Sequence, residues 1–301
     1  MKKNIIITLL LLGVLLPVFN ACQEDPLDPN SVIVDRVVDQ NKFDKWLYDN
    51  YTIPYNIDVN YRFLDRESDL SYNVIPATMD ASIKLAILVK HLCIETYDEV
   101  TGSKDFIRSY FPKLLFFIGS PEYKNNGVIV LGTAEGGKTI NLFNVNALKA
   151  DDIASLNSSY FKTIHHEFGH ILNHTKPFST DFLAISSSMY VGDDCFDTYS
   201  SVTNSIKDGF ISPYASSQDT EDFVEMLSIF LVSDNSVWDG YMEMAKNSTL
   251  EDGRNAYDIL SQKFEIVYNY MKDSWGIDIY DMRTILHRRQ TEISSLDFNI
   301  D

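Results

Sequence analysis

His166, Glu167 and His170 stand in the order His-Glu-x-x-His, within Ile164-His165-His166-Glu167-Phe168-Gly169-His170-Ile171-Leu172. On a helix, histidines four apart lie one turn from each other on nearly the same face. Both imidazoles can then bind one Zn²⁺ while Glu167 works on a metal-bound water. The chemistry that suits such a pattern is hydrolysis. The same residues also occur on helix faces that bind nothing, so the reading depends on the rest of the chain.

The element that must carry the motif is a helix from about 158 to 173, with Phe161, Ile164, Phe168, Ile171 and Leu172 as its buried stripe and Asn157 or Ser158 as its cap. A third protein ligand is needed, with a fourth position kept for water or substrate. His174 does not qualify, because eight residues of straight helix put it roughly 12 Å from His166. A motif extended by glycine and a third histidine would need Gly at 173 and His at 176, where Asn173 and Lys176 stand. The segment 212–226 offers a second helix instead, capped by Asp219 or Thr220, with Phe223, Met226, Leu227 and Phe230 as its apolar face. Glu221 and Glu225 share the other face one turn apart. A glutamate pair on an amphipathic helix is ordinarily a solvated face. Here it follows a metal motif that lacks a third ligand, so Glu221 is assigned as that ligand and Glu225 as the carboxylate that orients a ligating histidine.

Tyr214 precedes Glu221 by seven residues. In this order of Tyr, Glu and second Glu after the zinc helix, the chain resembles the gluzincin metallopeptidases, in particular those with a lethal-factor-like catalytic domain. The resemblance implies Zn²⁺ as cofactor, Glu167 as general base, and Tyr214 as hydroxyl donor to the developing oxyanion. A neutral phenol can serve in that last role.

Met1-Lys2-Lys3 and the apolar run from Ile5 to Phe19 read as a secretory signal over residues 1–21, its apolar part too short to favour a spanning helix. It ends in Phe19-Asn20-Ala21-Cys22, which resembles a relaxed lipobox and implies cleavage before Cys22 and lipidation of that residue. Residues 22–35, starting Gln23-Glu24-Asp25-Pro26-Leu27-Asp28-Pro29 after the cysteine, form an acidic tether without periodicity. Such a stretch resembles the export signal of surface lipoproteins in the Bacteroidetes. Together with the zinc motif, the chain is similar to the zinc-binding metallopeptidase lipoproteins found with outer-membrane nutrient-import systems of the starch-utilisation type. That resemblance runs from the lipobox to a closing helical segment at 259–278. It implies an outer-membrane lipoprotein facing the cell exterior, a peptide or protein substrate, and an import complex as partner.

Composition narrows the field. The formal charge of −18 argues against nucleic acid as a partner, and loss of Lys2 and Lys3 with the signal would make it two units more negative. Cys93 and Cys195 have no recognisable histidine partner, which leaves cysteine-protease chemistry unsupported; Cys93 lies in an apolar helical stretch and reads as a buried thiol. Gly132-Thr133-Ala134-Glu135-Gly136-Gly137-Lys138-Thr139 satisfies a phosphate-loop pattern. The residues after it, Thr139 to Val145, read as β, whereas a phosphate loop must open a helix. Asp193-Asp194-Cys195-Phe196-Asp197 lacks calcium-loop spacing and reads as a solvated acidic loop.

The expected architecture is α+β, a zincin-like two-lobe domain over residues 36–301. Helices are expected at 36–50 and 80–97, and strands at 55–63, 114–118, 128–131 and 139–145, before the zinc helix and a mainly helical remainder. The expected function is a zinc metallopeptidase acting at the bacterial cell surface. Two alternatives stand beside it: a ligand-binding component of an outer-membrane import complex with a non-catalytic zinc site, and a zinc hydrolase of non-peptide bonds.

Overall fold

A computed structural model describes residues 40–63, 74–123, 129–130, 132–135 and 138–300. The signal at 1–21, Cys22 and the tether at 22–35 lie outside the described residues. The described residues open on helix α1 (Lys42–Leu47), whose start is a capping box: Asn41 accepts from the Asp44 amide at 2.8 Å and Asp44 accepts from the Asn41 amide at 2.9 Å. A widened turn at Tyr48–Thr52 carries the helical course on to Tyr55. Strand β1 is consequently short (Asp58–Asn60), not the expected 55–63. The chain leaves the helix through Asn56, in the left-handed conformation at φ 56, and only then extends.

Helix α2 (Met79–Val89) is capped by Thr78 and passes through a second widened turn, Lys90–Ile94, into α3 (Glu95–Thr101), which stops at Gly102. After α4 (Asp105–Tyr110) come β2 (Leu114–Phe117), β3 (Glu122–Tyr123), β4 (Ile129–Val130), β5 (Gly132–Glu135) and β6 (Thr139–Leu142). The main sheet has the order β1-β2-β6-β5, while β3 and β4 pair separately. β1, β2 and β6 run parallel, with Leu115 opposite Ile140 and Phe117 opposite Leu142; β5 lies antiparallel to β6.

Leu115, Phe116 and Phe117 are all buried, as are Ile140, Asn141 and Leu142, so the central pair is covered on both faces, as parallel strands require. Leu115, Phe117, Ile140 and Leu142 join the main core, whereas Phe116 joins Ile118 and Phe143 in a smaller cluster, the alternation of a pleated strand. Glu135 pairs with Thr139, so the segment with the phosphate-loop pattern leads into strand β6 and opens no helix.

The second half is helical: α5 (Lys162–Thr175), α6 (Asp219–Val232), α7 (Asn235–Lys246), α8 (Ala256–Asn269) and α9 (Ile279–Thr291), with short helical turns between. Phe230 of α6, Trp238 of α7 and Phe264 of α8 meet at 4.7 to 5.1 Å between ring centres, which locks these three helices together. The described part from Asn41 onward forms one compact unit. Cys93 and Cys195 are both buried and form no disulfide. The described residues are α+β, mostly helical, with a small four-stranded mixed sheet and a separate two-stranded ribbon.

Candidate metal centre

The helical course that carries the motif starts earlier than its sequence suggests. Asp152 is the cap, accepting from the Ser155 amide at 3.0 Å, and Ile153–Leu156 leads through a widened turn at Asn157–Phe161 into α5. Asn157 and Ser158, expected as caps, are therefore interior. The Asn157 amide is spent on a tertiary link, donating to the Val232 carbonyl and accepting from Gln290, both at 2.9 Å.

Helix α5 buries Ile164, Phe168, Ile171 and Leu172. Phe168 meets Tyr97 and Phe111 edge-on at 5.1 and 5.0 Å between ring centres, and these contacts set the rotation of the helix about its axis. His165 faces the same way, fully buried, with Nδ1 3.2 Å from the Tyr97 hydroxyl. Burial pulls its pKa down to about 4, so it is neutral. His174 is exposed in the last turn of α5 and stands apart from the metal-ligating cluster.

The opposite side of α5 meets α6. Gly169 makes that approach close, since a Cβ there would lie 2.9 Å from Val224 Cγ1. α6 begins at Asp219, with extended Gln218 before it and no side-chain cap, so Asp219 and Thr220, expected as caps, occupy its first turn. Behind that turn the fully buried pair Asp222 and Lys263 closes at 2.6 Å. Tyr190 donates to Asp222 at 3.0 Å and Lys263 donates to the Gly209 carbonyl at 2.8 Å. Gly209, at φ 80 and pressed against Ile259, starts the loop that runs to Tyr214.

Across the helix pair, His166, His170 and Glu221 converge, their ligand atoms within 4.8 Å of one another. Glu221 Oε2 sits 3.0 Å from His166 Nε2 and 3.2 Å from His170 Nε2. Burial opposes the Glu221 charge, but the two imidazoles outweigh it and hold its carboxyl well below the usual range. Burial likewise lowers His166, and Glu221 and Glu225 reverse this, raising its pKa to about 9. Such a cluster attracts positive charge. Two imidazole nitrogens and one carboxylate oxygen form a donor set that suits Zn²⁺ and leaves one coordination position for water or substrate.

Glu225 lies behind His166, almost fully buried. It accepts from His166 Nδ1 at 2.9 Å, from Ser212 Oγ at 2.6 Å, and from Lys162 Nζ at 2.8 and 2.9 Å. Burial pushes its carboxyl up; Lys162 and His166 more than offset this and bring it to about 2. Neither Lys162 nor Ser212 is among the site residues expected from the sequence. Lys162 carries a signal, standing one turn before His166 on the same helix. Ser212 lies in irregular backbone and carries none.

Ser212 also accepts from the Ala215 amide at 3.1 Å, linking Glu225 to the turn that bears Tyr214. The Tyr214 ring lies 5.9 Å from the His166 ring. Burial raises its hydroxyl pKa first, and the charges of Glu221, Glu225 and Glu167 raise it further, so the phenol is neutral at physiological pH. Glu167, half-buried beside His166, is thus felt electrostatically by both Tyr214 and His166. His166, His170 and Glu221 thus converge with the Tyr214 ring against His166, and Glu167 is close enough to act on both rings electrostatically.

Ligands drawn from two packed helices, beside a small sheet in a mostly helical chain, define the class as a zinc-binding α+β protein. Residues 36–280 match the family described as "Putative zinc-binding metallo-peptidase", and the chain belongs to that family. It is also similar to a crystal structure described as that of a putative zinc-binding metallo-peptidase from Bacteroides caccae ATCC 43185. The two are 38% identical with a TM-score of 0.73, over 86% of this chain and 96% of that one. A comparison with the curated proteins found no match. Family and structural neighbour agree with the donor set on Zn²⁺ as the metal.

Proposed function

We propose that this chain is a zinc-dependent metallopeptidase of the gluzincin type that hydrolyses peptide bonds. The observation that carries this reading is the convergence of His166, His170 and Glu221 with Glu167 and Tyr214 beside them. When bound, Zn²⁺ supplies Lewis acidity, which makes water nucleophilic at neutral pH and polarises the scissile carbonyl.

The chain's own residues do the rest. His166, His170 and Glu221 would hold the ion. Glu167 takes the proton of the attacking water and delivers it to the leaving amine as the C–N bond breaks. Tyr214, kept protonated by burial and by the surrounding carboxylates, donates a hydrogen bond to the oxyanion. Glu225, held by Lys162 and Ser212, keeps His166 Nδ1 as a donor, so that Nε2 is free to face the ion. A purely structural zinc site has no use for Glu167 or for an open coordination position.

In the same proposal the sheet-bearing first half and the helical second half act as the two lobes of a zincin cleft, and lipidated Cys22 anchors the protein to the outside of the outer membrane, beside an import complex. Release of a Cys22→Ala variant from the membrane fraction supports that anchorage, and its retention there argues against it. The enzymatic reading is tested by exposing a diverse peptide library to the zinc-loaded protein, with the chelated protein as control. Zinc-dependent cleavage is expected. Absence of any cleavage would instead favour a ligand-capturing role for the domain.

A further inference from the structure

Phe196 is an exposed apolar residue in the acidic loop Asp193–Asp197. It stands between buried Cys195 and Asp197 in the short turn Cys195–Thr198, and the residue is 47% exposed. Single exposed aromatics are common on protein surfaces and by themselves mean little. This one has a defined partner. Its ring is nearly parallel to that of Tyr214, at 8° and 6.1 Å between centres, and Tyr214 in turn lies against His166. The rings thus lead from a buried zinc ligand, through the oxyanion donor, to an aromatic face open to solvent.

The backbone holds this arrangement in place. The Val191 amide donates to the Ser216 carbonyl at 2.9 Å and the Gly192 amide to the Ser217 carbonyl at 3.2 Å, which ties the start of the Phe196 loop to the turn of Tyr214. Cys195, next to Phe196, is buried and anchors the turn from below. The phenylalanine is therefore presented at a fixed position relative to Tyr214.

Extended peptide advances about 3.3 to 3.6 Å per residue. One or two residues of extended peptide thus span a distance comparable to the 6.1 Å between the Tyr214 and Phe196 ring centres. Resting on the proposed peptidase reading, we infer that Phe196 is a specificity-determining residue that selects peptides with an aromatic or large aliphatic side chain next to the cleaved bond. Ring-on-ring and ring-on-aliphatic packing supplies the discrimination, on the order of fivefold to tenfold per contact.

The test maps cut sites in a peptide library for the zinc-loaded wild type, Phe196→Ala and Phe196→Leu, with zinc content measured for each. Wild type is expected to favour bonds flanked by aromatic or large aliphatic residues. Phe196→Ala should lose about fivefold to tenfold in kcat/KM on those peptides, carried in KM, with zinc unchanged and small-residue sites cut as before. Phe196→Leu should recover the aliphatic preference. A second arm titrates zinc-loaded Glu167→Gln, with and without Phe196→Ala, against two capped peptides differing only by Phe or Ala at the selected position. Only the Phe peptide should bind more weakly when Phe196 is removed. Unchanged selectivity in Phe196→Ala, or a fall in kcat alone, overturns the role of Phe196 and leaves the peptidase reading standing. If wild type cuts nothing, the peptidase reading fails, and equal binding of the two peptides then overturns the inference as well.

Discussion

Replacing Lys162 by Met keeps most of the stem and removes the ammonium that faces Glu225 at 2.8 and 2.9 Å. The Glu225 side chain is 2% exposed, so water cannot take over the lost contact, and Ser212 and His166 remain as its partners. Breaking one side of a fully buried ion pair costs about 3 to 5 kcal/mol. The Lys162 side chain is 32% exposed, which screens the pair and brings the expected loss of the metal-free protein to roughly 2 kcal/mol. A second loss appears only with zinc. Disturbing the partner of a ligating histidine weakens metal binding by about 10- to 100-fold, and at saturating zinc this subtracts roughly a further 1.4 to 2.7 kcal/mol from stability. Denaturant unfolding with and without zinc, together with competition against a chromogenic chelator, separates the two. Lys162→Arg should restore most of both. If Lys162→Met loses stability but binds zinc as tightly as wild type, Glu225 orients His166 without help from the lysine, and the reasoning from ion pair to metal affinity is wrong.

Glu221→Ala should lose most bound zinc while His174→Ala keeps it, because His174 stands outside the cluster; metal analysis showing the reverse would remove Glu221 as the third ligand. Glu167→Gln should retain zinc and fold but abolish turnover, whereas Tyr214→Phe should lose on the order of 10² to 10³ in rate, the usual effect of deleting one oxyanion donor. A peptidase assay beside zinc content decides the order, and near-wild-type activity in Glu167→Gln would refute the base assignment. Away from the site, burial opposes the Glu95 charge, but His91, Lys90 and Arg289 hold its carboxyl down at about 2. A folded pKa below the unfolded one means that the stabilisation is present above about pH 4.5 and is lost as pH falls towards 2. Glu95→Gln should therefore unfold more easily than wild type at pH 7, by on the order of 1 to 2 kcal/mol once solvent screening of the part-exposed carboxylate is allowed for, with the gap closing in acid; urea midpoints that stay equally far apart near pH 2 would contradict this.

Much of the centre is legible in the sequence, because its information is local. His166 and His170 share a face through helical periodicity alone, and so do Glu221 and Glu225. The decoy at Gly132–Thr139 is equally legible, since the β-rich residues after it cannot open the helix that a phosphate loop needs. Helix starts are less so. Asp219, Thr220, Asn157 and Ser158 all have the chemistry of caps, but the non-helical backbone falls at Gln218 and Asp152, and Asn157 is committed to Val232 and Gln290 far along the chain.

What joins the two halves of the site is a matter of tertiary contact. Gly169 lets α5 settle against Val224 of α6, and without that approach Glu221 would have no reason to meet two imidazoles from 51 and 55 residues earlier. Lys162 and Ser212 reach Glu225 from different elements, and Phe196 reaches Tyr214 across a loop latch; neither helical nor strand periodicity relates these positions. Spacing along one helix is set by its 3.6-residue turn and can be read residue by residue. Distances between helices depend on how side chains and missing side chains pack, and only the folded chain supplies them.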